Sequence, residues 1–399
     1  MKKLSHFHNT TTTAGIFCII LSCFFIPFST SLMGTTAILA TIFWLLSGNV
    51  FSLFRLMGRN ISVSLAIALF LLLSIGVVYS PAPLNDSLLF LKKYRELVYF
   101  AMVVSLLKDN EGAARLAEDS FVAGCVVLLL ISYGIYFSII PSERFGHSAV
   151  YHITHSLFMA VLAFWCLQRI FESRQYVYLW MGLFLLTTAN LFFIAPGRTG
   201  MLVYIALISL TFLQRLSWRK SLAAMILASL VIGGTFLTSS NFSTRVTEAV
   251  DEMRNYQAES SRTSLGMRFD WWQNSIDLIK QKPILGHGTG SFMTVQGELI
   301  KDSDTQSTDN PHNEYLLLAE QTGLVGLFLF IALLSSQLIG SFKLQPSRRY
   351  LLQGVIVAMS VGCLMNSFLF DSHPGHFYAI LSAVLATPSM KGSSLVLKR

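Results

Sequence analysis

Residues 61–80 read ISVSLAIALFLLLSIGVVYS and carry no charged side chain. A helix needs about 20 apolar residues to cross the roughly 30 Å hydrocarbon layer of a bilayer. The rest of the chain has the same character, because 53% of its 399 residues are hydrophobic and only 13% are charged. Soluble domains carry roughly 25% charged residues. We therefore expect a protein that crosses a membrane several times.

Twelve apolar runs of this kind can be marked along the chain. They are 13–31, 33–48, 61–80, 91–107, 120–140, 150–168, 177–194, 199–214, 221–239, 322–342, 351–369 and 374–389. Backbone N–H and C=O groups cannot stay unpaired in lipid, so each run is expected to be a helix. The predicted fold is all-α, with about twelve transmembrane helices in a single membrane domain. Spans one to nine lie in 1–239, a long helical loop occupies 240–322, and spans ten to twelve lie in 323–399.

Lysine and arginine residues predict which side of the membrane each loop faces. If both termini are cytoplasmic, most basic residues fall in inner segments, and the short outer segments hold only Lys92, Lys93, Arg95, Arg144 and Arg198. Cytoplasmic loops are enriched in Lys and Arg, so the long loop is predicted to lie outside. Topology explains the net charge of +8, which therefore does not indicate nucleic-acid binding. The first apolar run is expected to remain as a span.

The long loop is predicted to contain two helical segments joined by a glycine-rich link. Apolar residues at helical spacing predict an amphipathic helix over about 266–281; they are Phe269, Trp272, Ile276 and Ile279. Gly286, Gly288 and Gly290 follow. Because glycine adopts backbone conformations closed to other residues, the link is expected to make a tight turn.

His312 is the strongest candidate for chemistry in this loop. Asn310 and Pro311 suit the N-cap and first position of a helix, so a second helix is predicted to begin at about His312. The partial positive charge at a helix N-terminus would keep the imidazole neutral, as a general base requires. Glu314 could orient the ring. A capping or packing histidine is the alternative interpretation.

Arg198, within the sequence APGRTG, and Arg268, at the start of the predicted amphipathic helix, are candidates for anion binding. Guanidinium groups stay charged and match phosphate oxygens with paired hydrogen bonds. Lys93 and Arg95, at the outer end of span four, could supply a second phosphate contact. Anchoring at the membrane interface is the alternative for Arg198, Lys93 and Arg95, and an ordinary solvated side chain is the alternative for Arg268.

A metal site is the less favoured interpretation of the remaining histidines and cysteines. His147, His152 and His155 lie together on the outer side but lack the nearby carboxylate or thiolate of a typical zinc site. His287 is interpreted as structural or substrate-lining. The five cysteines all lie in apolar runs without metal-ligand spacing. No metal, cofactor or disulfide is expected.

These motifs resemble the O-antigen ligase family, within the group that also contains O-antigen polymerases and protein O-oligosaccharyltransferases. The resemblance rests on Arg198 in its GRTG turn, Arg268 followed by aromatic residues, PILGHGTG at 283–290 and PHNEYL at 311–316. One long outer loop between spans nine and ten also matches.

The resemblance implies a glycosyltransferase of the bacterial inner membrane that acts on the periplasmic side in lipopolysaccharide biosynthesis. The donor would be a glycan on undecaprenyl diphosphate, and the acceptor a sugar hydroxyl of the lipid A-core. Arg198 and Arg268 would bind the diphosphate and His312 would take the acceptor proton, with inversion at the anomeric carbon and no metal or nucleotide. Five further residues are expected to contact the diphosphate or the glycan: Lys93, Arg95, His287, Asn313 and Glu314.

Three other functions remain open from the sequence. An O-antigen polymerase or a protein O-oligosaccharyltransferase would share these motifs, although polymerases often have two long outer loops where this chain has one. A transporter of lipid-linked sugars is the non-enzymatic alternative. The apolar runs hold almost no ionisable residues, which a binding site at the membrane midplane would need.

The charge distribution predicts the membrane orientation of the long loop. A reporter that is active only outside the cytoplasm should be active when fused at Thr305 and inactive when fused at Ser217, because these positions lie on opposite predicted sides. Reporter activity in cells, with expression of both fusions checked by immunoblot, measures this. Activity at Ser217 and not at Thr305 would reverse the orientation.

Overall fold

The structure is a computed structural model that describes residues 2–108, 110–141, 144–172, 175–238, 240–256, 263–301, 303 and 305–387. The described residues form seventeen α-helices, a 3₁₀-helix at Asn49–Ser52, a π-helix at Asn190–Ile194 and no strand. The helices are α1 Lys2–Phe25, α2 Thr30–Leu46, α3 Leu53–Met57, α4 Ile61–Tyr79, α5 Leu84–Lys93, α6 Glu96–Leu107, α7 Glu111–Tyr136, α8 His152–Glu172, α9 Val177–Ala189, α10 Arg198–Arg215, α11 Trp218–Thr238, α12 Ser240–Arg254, α13 Ser264–Gln281, α14 Phe292–Leu299, α15 Glu314–Ser341, α16 Pro346–Met365 and α17 Ser372–Ala386. The all-α prediction is confirmed.

Six helices of the described chain are long and apolar enough to cross a membrane. A seventh span results if α2 is taken together with Asn49–Met57, which follows it after a bend of 80°. Each of the twelve predicted runs overlaps a helix, and the fourth is divided between α5 and α6. The final residues of the last run, 388–389, lie outside the described residues. Twelve crossings therefore stay a prediction.

The interior of the helix bundle is built around α8 and α17. Their side chains are buried on almost every face, as expected of helices that are apolar all round. Phe158 of α8 and Phe377 of α17 meet edge to face with ring centroids 5.7 Å apart. Phe121 of α7 lies 5.4 Å from Phe377 and 6.0 Å from Phe158. Around this centre, α10 packs on α8, α6 on α17 and α15 on α4.

The amphipathic helix predicted over 266–281 is present as α13, Ser264–Gln281. Its buried face differs from the predicted apolar stripe, since Ile276 is 40% exposed and Trp271 is buried. Hydrogen bonds explain why α13 buries this face. The Trp271 indole donates to the carbonyl of Gln306 (2.7 Å), and buried Asp270 accepts from the Tyr256 hydroxyl (2.6 Å). Satisfied polar groups, rather than apolarity alone, select the face that α13 buries.

The helix predicted to begin at about His312 begins at Glu314 instead. Asn313, and not Asn310, is its N-cap, and the Asn313 side chain accepts from the N–H groups of Tyr315 (3.0 Å) and Leu316 (3.2 Å). His312 precedes the cap with a φ of 54°, in the left-handed region. Asparagine suits both positions, so sequence alone did not distinguish them.

The predicted glycine turn is confirmed, and it pairs with a break in α15. Gly286, Gly288 and Gly290 have φ of 69°, 104° and 75°. Within α15, Gly323 has φ 67° and ψ −169°, which interrupts the helix. A Cβ on Gly323 would clash with the carbonyl group of Ile284, so the close approach of the two segments requires glycine.

The two segments exchange backbone hydrogen bonds at this break. The N–H of His287 donates to the carbonyl of Glu320 (2.8 Å), and that of Gly288 to Gln321 (2.9 Å). In return, the N–H of Leu324 donates to the carbonyl of Pro283 (2.8 Å). The backbone N–H and C=O groups that lose their partners at the break in α15 therefore form hydrogen bonds with the glycine link.

Gly323→Ala is expected to destabilise the protein, because a side chain in this conformation costs about 1–3 kcal/mol before its clash with Ile284 is counted. Gly340→Ala in the same helix is the matched control. Nothing lies within 4 Å of an added Cβ there, and alanine favours the helix. Thermal unfolding of the purified variants in detergent measures both effects. Equal midpoints for the two variants would contradict the proposed role of Gly323.

Candidate active site

Arg198 is the first residue of α10 and is held by close packing of its turn on α8. An added Cβ on Gly200 would clash with the backbone of Ser156, and one on Gly197 would clash with the Ser156 side chain. The Arg198 guanidinium donates to Glu252 (2.8 Å) and to Glu248 (3.3 Å), both on α12. Arg198 is therefore positioned by α8 on one side and by two carboxylates on the other.

Arg268, in the first turns of α13, lines the same cavity of about 200 Å³ as Arg198. Burial and the neighbouring charge of Arg198 lower the pKa of Arg268. Among the described residues, its guanidinium has one hydrogen-bond acceptor, the side-chain oxygen of Asn366 at 3.5 Å. Asn366 in turn donates to the Thr199 hydroxyl (2.8 Å). Arg268 thus keeps donor N–H groups available to a ligand.

His312 and Arg268 line an adjoining cavity of about 330 Å³ together with Tyr151 and Asp371. The imidazole lies against the Trp271 ring, with centroids 5.5 Å apart. Within the described part of the chain, neither ring nitrogen of His312 has a hydrogen-bond partner. An imidazole that packs against an aromatic ring, lines a cavity and has a free nitrogen can accept a proton from a bound hydroxyl.

His312 is neutral at physiological pH, but not for the predicted reason. Burial, and then the positive charge of Arg268, lower its pKa to about 4, while Asp309 acts in the opposite direction. The ring lies before the N-cap of α15 and not in its first turn. Desolvation and a neighbouring cation both disfavour the imidazolium form, so they replace the helix dipole as the cause.

The segment that carries His312 is fixed by two adjacent tryptophans of α13. Trp271 donates to the carbonyl of Gln306 (2.7 Å), and Trp272 donates to the carbonyl of Pro311 (2.9 Å). The Asn310 side-chain oxygen accepts the backbone N–H of His312 (2.8 Å) and the Ser367 hydroxyl (2.7 Å). The same helix therefore carries Arg268 and holds the histidine segment.

Three of the predicted substrate-binding side chains make internal hydrogen bonds and line neither cavity. Asn313 donates to the carbonyl of Leu364 (3.1 Å) in addition to capping α15. Glu314 accepts from the Tyr94 hydroxyl (3.1 Å) and from the N–H of Leu369 (2.9 Å) and Phe370 (3.1 Å). His287 is 5% exposed, with its Nε2 3.0 Å from the carbonyl of Leu278. They support the loops around the site.

The other two predicted contacts are Lys93 and Arg95. Neither lines the cavity of about 200 Å³ shared by Arg198 and Arg268, which we call the arginine cavity. Arg95 donates to the carbonyl of Lys92 (2.8 Å) and lies 3.7 Å from Glu96. Lys93 lines a different cavity, which Asp309 also lines. The structure thus brings together Arg198, Arg268 and His312 but not these two basic residues.

The outer histidine group is dispersed among structural roles. Buried His155 lies between the Ser148 hydroxyl (2.9 Å) and the Asn190 side chain (2.8 Å). His147 Nδ1 is 3.2 Å from the carbonyl of Ile194. His152 lines the arginine cavity. No group of three or more His, Cys, Asp or Glu side chains in the described ranges is arranged to hold a metal ion.

Sequence reasoning missed Glu252, Asn366 and Asp371. The spacing of four between Glu248 and Glu252 places both carboxylates on one helix face, and this signal could have identified them. Asn366 and Asp371 follow α16 in the sequence without any motif, so only the fold brings them to the site.

One family model and two individual proteins are similar to this chain. The family model described as O-Antigen ligase matches residues 182–331, a range that contains Arg198, Arg268 and His312. The match confirms the resemblance to the O-antigen ligase family. Together with the apolar helices, it indicates a multi-pass membrane protein.

Two individual proteins are also similar to this chain. A Haemophilus influenzae protein, described as uncharacterized, is 28% identical over 228 residues, which cover 54% of this chain and 55% of that protein. The chain thus spans about half the length of this relative. A chain from a solved structure of a peptidoglycan synthase complex superposes with a TM-score of 0.46 and 17% identity, covering 81% of this chain and 94% of that chain.

Glu252→Gln is expected to lower the stability of the protein, because Glu252 joins Arg198 to the N–H of Leu265 (2.7 Å) in the first turn of α13. A hydrogen bond to a charged group contributes about 1.5–3 kcal/mol. Glu248→Gln is the control, since this longer and more exposed pair should contribute about 1 kcal/mol or less. Thermal unfolding midpoints of both variants test the difference. A larger loss for Glu248→Gln would contradict this assignment.

Proposed function

We propose that this protein is an O-antigen ligase of the bacterial inner membrane. It transfers a glycan from undecaprenyl diphosphate to a sugar hydroxyl of the lipid A-core on the periplasmic side. One observation carries the proposal: two guanidinium groups and a neutral imidazole line adjoining cavities, and Arg268 lines both. This set matches the needs of the reaction, in which a dianionic group leaves and a hydroxyl loses a proton.

The arginines bind the diphosphate of the donor in this proposal. Planar guanidinium groups form paired, charge-assisted hydrogen bonds with phosphate oxygens. Arg268 contributes unused donors, and Arg198 exchanges a carboxylate for phosphate. As the bond between the anomeric carbon and the phosphate oxygen breaks, negative charge grows on the diphosphate. Fixed cations in a partly buried cavity stabilise that charge without reorganising.

His312 acts as the general base. The acceptor oxygen attacks the anomeric carbon from the face opposite the diphosphate, so the configuration inverts. The hydroxyl proton passes to the free imidazole nitrogen, and undecaprenyl diphosphate leaves. A positioned base contributes roughly 10²–10⁴-fold to such a reaction. Arg198, Arg268 and His312 account for the proton and the negative charge that move in this step. Lys93 and Arg95 have no role in it.

A polymerase is the second candidate, because the family match supports both ligase and polymerase chemistry. The two functions differ in the acceptor. With the lipid-linked donor alone, a polymerase lengthens the glycan on the lipid, whereas a ligase forms no product until the lipid A-core is added. Purified wild-type protein assayed with and without the core acceptor decides between them.

His312→Gln should lower turnover roughly 10²–10⁴-fold, because glutamine can form hydrogen bonds but cannot take the proton at neutral pH. Donor binding should persist, since the arginines are intact. In the wild type, kcat/KM should stay level near neutral pH and fall only as the pH drops through about 4, where the imidazole becomes protonated.

The assay measures transfer from lipid-linked donor to lipid A-core and donor binding separately. Arg268→Lys is the comparison variant, and it should lose donor affinity because an ammonium group cannot form the paired contact. Near-normal turnover of His312→Gln would leave His312 as a positioning residue only.

A further inference from the structure

A third cavity, of about 560 Å³, is lined in part by Asp309, three residues before His312. We call it the Lys93 cavity, and six of its lining residues define it: Asp86, Phe90, Lys93, Gly290, Asp309 and Phe370. It shares no lining residue with the arginine cavity. Residues of α5, the glycine link and the segment before α15 therefore form a site that the proposed chemistry has not used.

The charged side chains of this cavity have unused hydrogen-bonding capacity. Within the described ranges of the chain, no side-chain hydrogen bond or salt bridge is formed by Lys93, Asp86 or Asp309. The Lys93 ammonium lies 5.0 Å from the centroid of the Phe370 ring, and the rings of Phe90 and Phe370 are 4.8 Å apart. One wall is thus aromatic, and the charged groups are free to contact a ligand.

This chemistry suits a polyhydroxylated sugar ring. Carboxylates accept hydrogen bonds from hydroxyl groups, and an ammonium group donates to hydroxyl oxygens. Aromatic rings provide an apolar surface for the C–H face of the sugar. A diphosphate fits poorly, because Asp86 and Asp309 would repel it. An isoprenoid chain fits poorly because it would desolvate three charged groups without partners.

The Lys93 cavity is next to the candidate base. Asp309 precedes His312 by three residues and acts electrostatically on its pKa. Asp371 lines the cavity of about 330 Å³ that His312 also lines. It directly follows Phe370, which lines the Lys93 cavity. Burial raises the pKa of Asp371 to about 6, the charge of Lys93 opposes that rise, and Asp309 adds to it. A sugar in the Lys93 cavity would therefore lie beside His312, away from Arg198.

We propose that the Lys93 cavity is the acceptor subsite, which binds a sugar ring of the acceptor and directs its hydroxyl toward His312. This inference rests on the proposed function and extends it. Inversion requires the acceptor to approach opposite the leaving diphosphate. The Lys93 cavity shares no lining residue with the cavity that both arginines line, so the acceptor sugar and the diphosphate would occupy separate sites.

Steady-state kinetics of the full-length enzyme in detergent test the subsite. Lys93→Gln and Asp86→Asn should each raise the KM for the lipid A-core acceptor roughly tenfold or more, as expected when a hydrogen bond to a charged group is lost. The KM for the lipid-linked donor should not change. Lys92→Gln is the matched control, because this exposed neighbour does not line the cavity. A rise in the donor KM instead would assign the cavity to the donor glycan and overturn the proposal.

Protection of a single introduced thiol provides a second, independent measurement. The five native cysteines are buried, and Met293 is a 56% exposed residue of the cavity wall. In Met293→Cys, the acceptor should slow maleimide labelling and the donor should not. In Gln273→Cys, an exposed position on α13, neither substrate should slow it. Absence of protection in an active enzyme overturns the subsite alone, whereas a wild-type protein that transfers no glycan overturns the proposed function.

Discussion

The architecture of the site depends on the exchange of backbone hydrogen bonds between the glycine link and the broken helix α15. A helix interrupted at Gly323 leaves N–H and C=O groups without intrahelical partners, and such groups are costly in a medium of low polarity. The link satisfies them, because Leu324 donates to Pro283 while His287 and Gly288 donate to carbonyls before the break. Gly286 follows from this contact, since a Cβ there would clash with the backbone of Glu320 and Gln321. A Cβ on Gly288 would instead clash with the backbone of α4, and one on Gly290 would crowd α5.

This exchange also sets the distance between the two halves of the reactive centre. Arg268 is on α13, and His312 precedes α15. The link ties the C-terminal end of α13 to α15, and the indoles of Trp271 and Trp272 tie its first half to the segment before His312. Two attachments at separate points prevent the helix from sliding and from tilting. Such support is what a catalytic arrangement requires, because small displacements of reacting groups cost large factors in rate.

The sequence predicted the elements of this protein better than the contacts between them. Hydrophobic periodicity located α13 within two residues of its start, and the glycines predicted the turn. The start of α15 was misplaced because Asn310 and Asn313 are equally good caps, and only the left-handed conformation of His312 separates them. Glu252, Asn366 and Asp371 come from three distant segments. Their convergence depends on tertiary packing, which single-sequence patterns do not encode.

The charges of the site act as one coupled system in the proposed reaction. Without substrate, Arg198 forms salt bridges with Glu248 and Glu252. Arg268 has no carboxylate partner among the described residues. Its positive charge helps to lower the pKa of His312. A bound diphosphate would cancel the charge of Arg268. The imidazole would then lose one of the two causes that depress its pKa and become a stronger base. Since kcat reports the substrate complex and kcat/KM the free enzyme, the acid limb of kcat should lie at higher pH. Donor binding would thereby prepare the base that the acceptor needs.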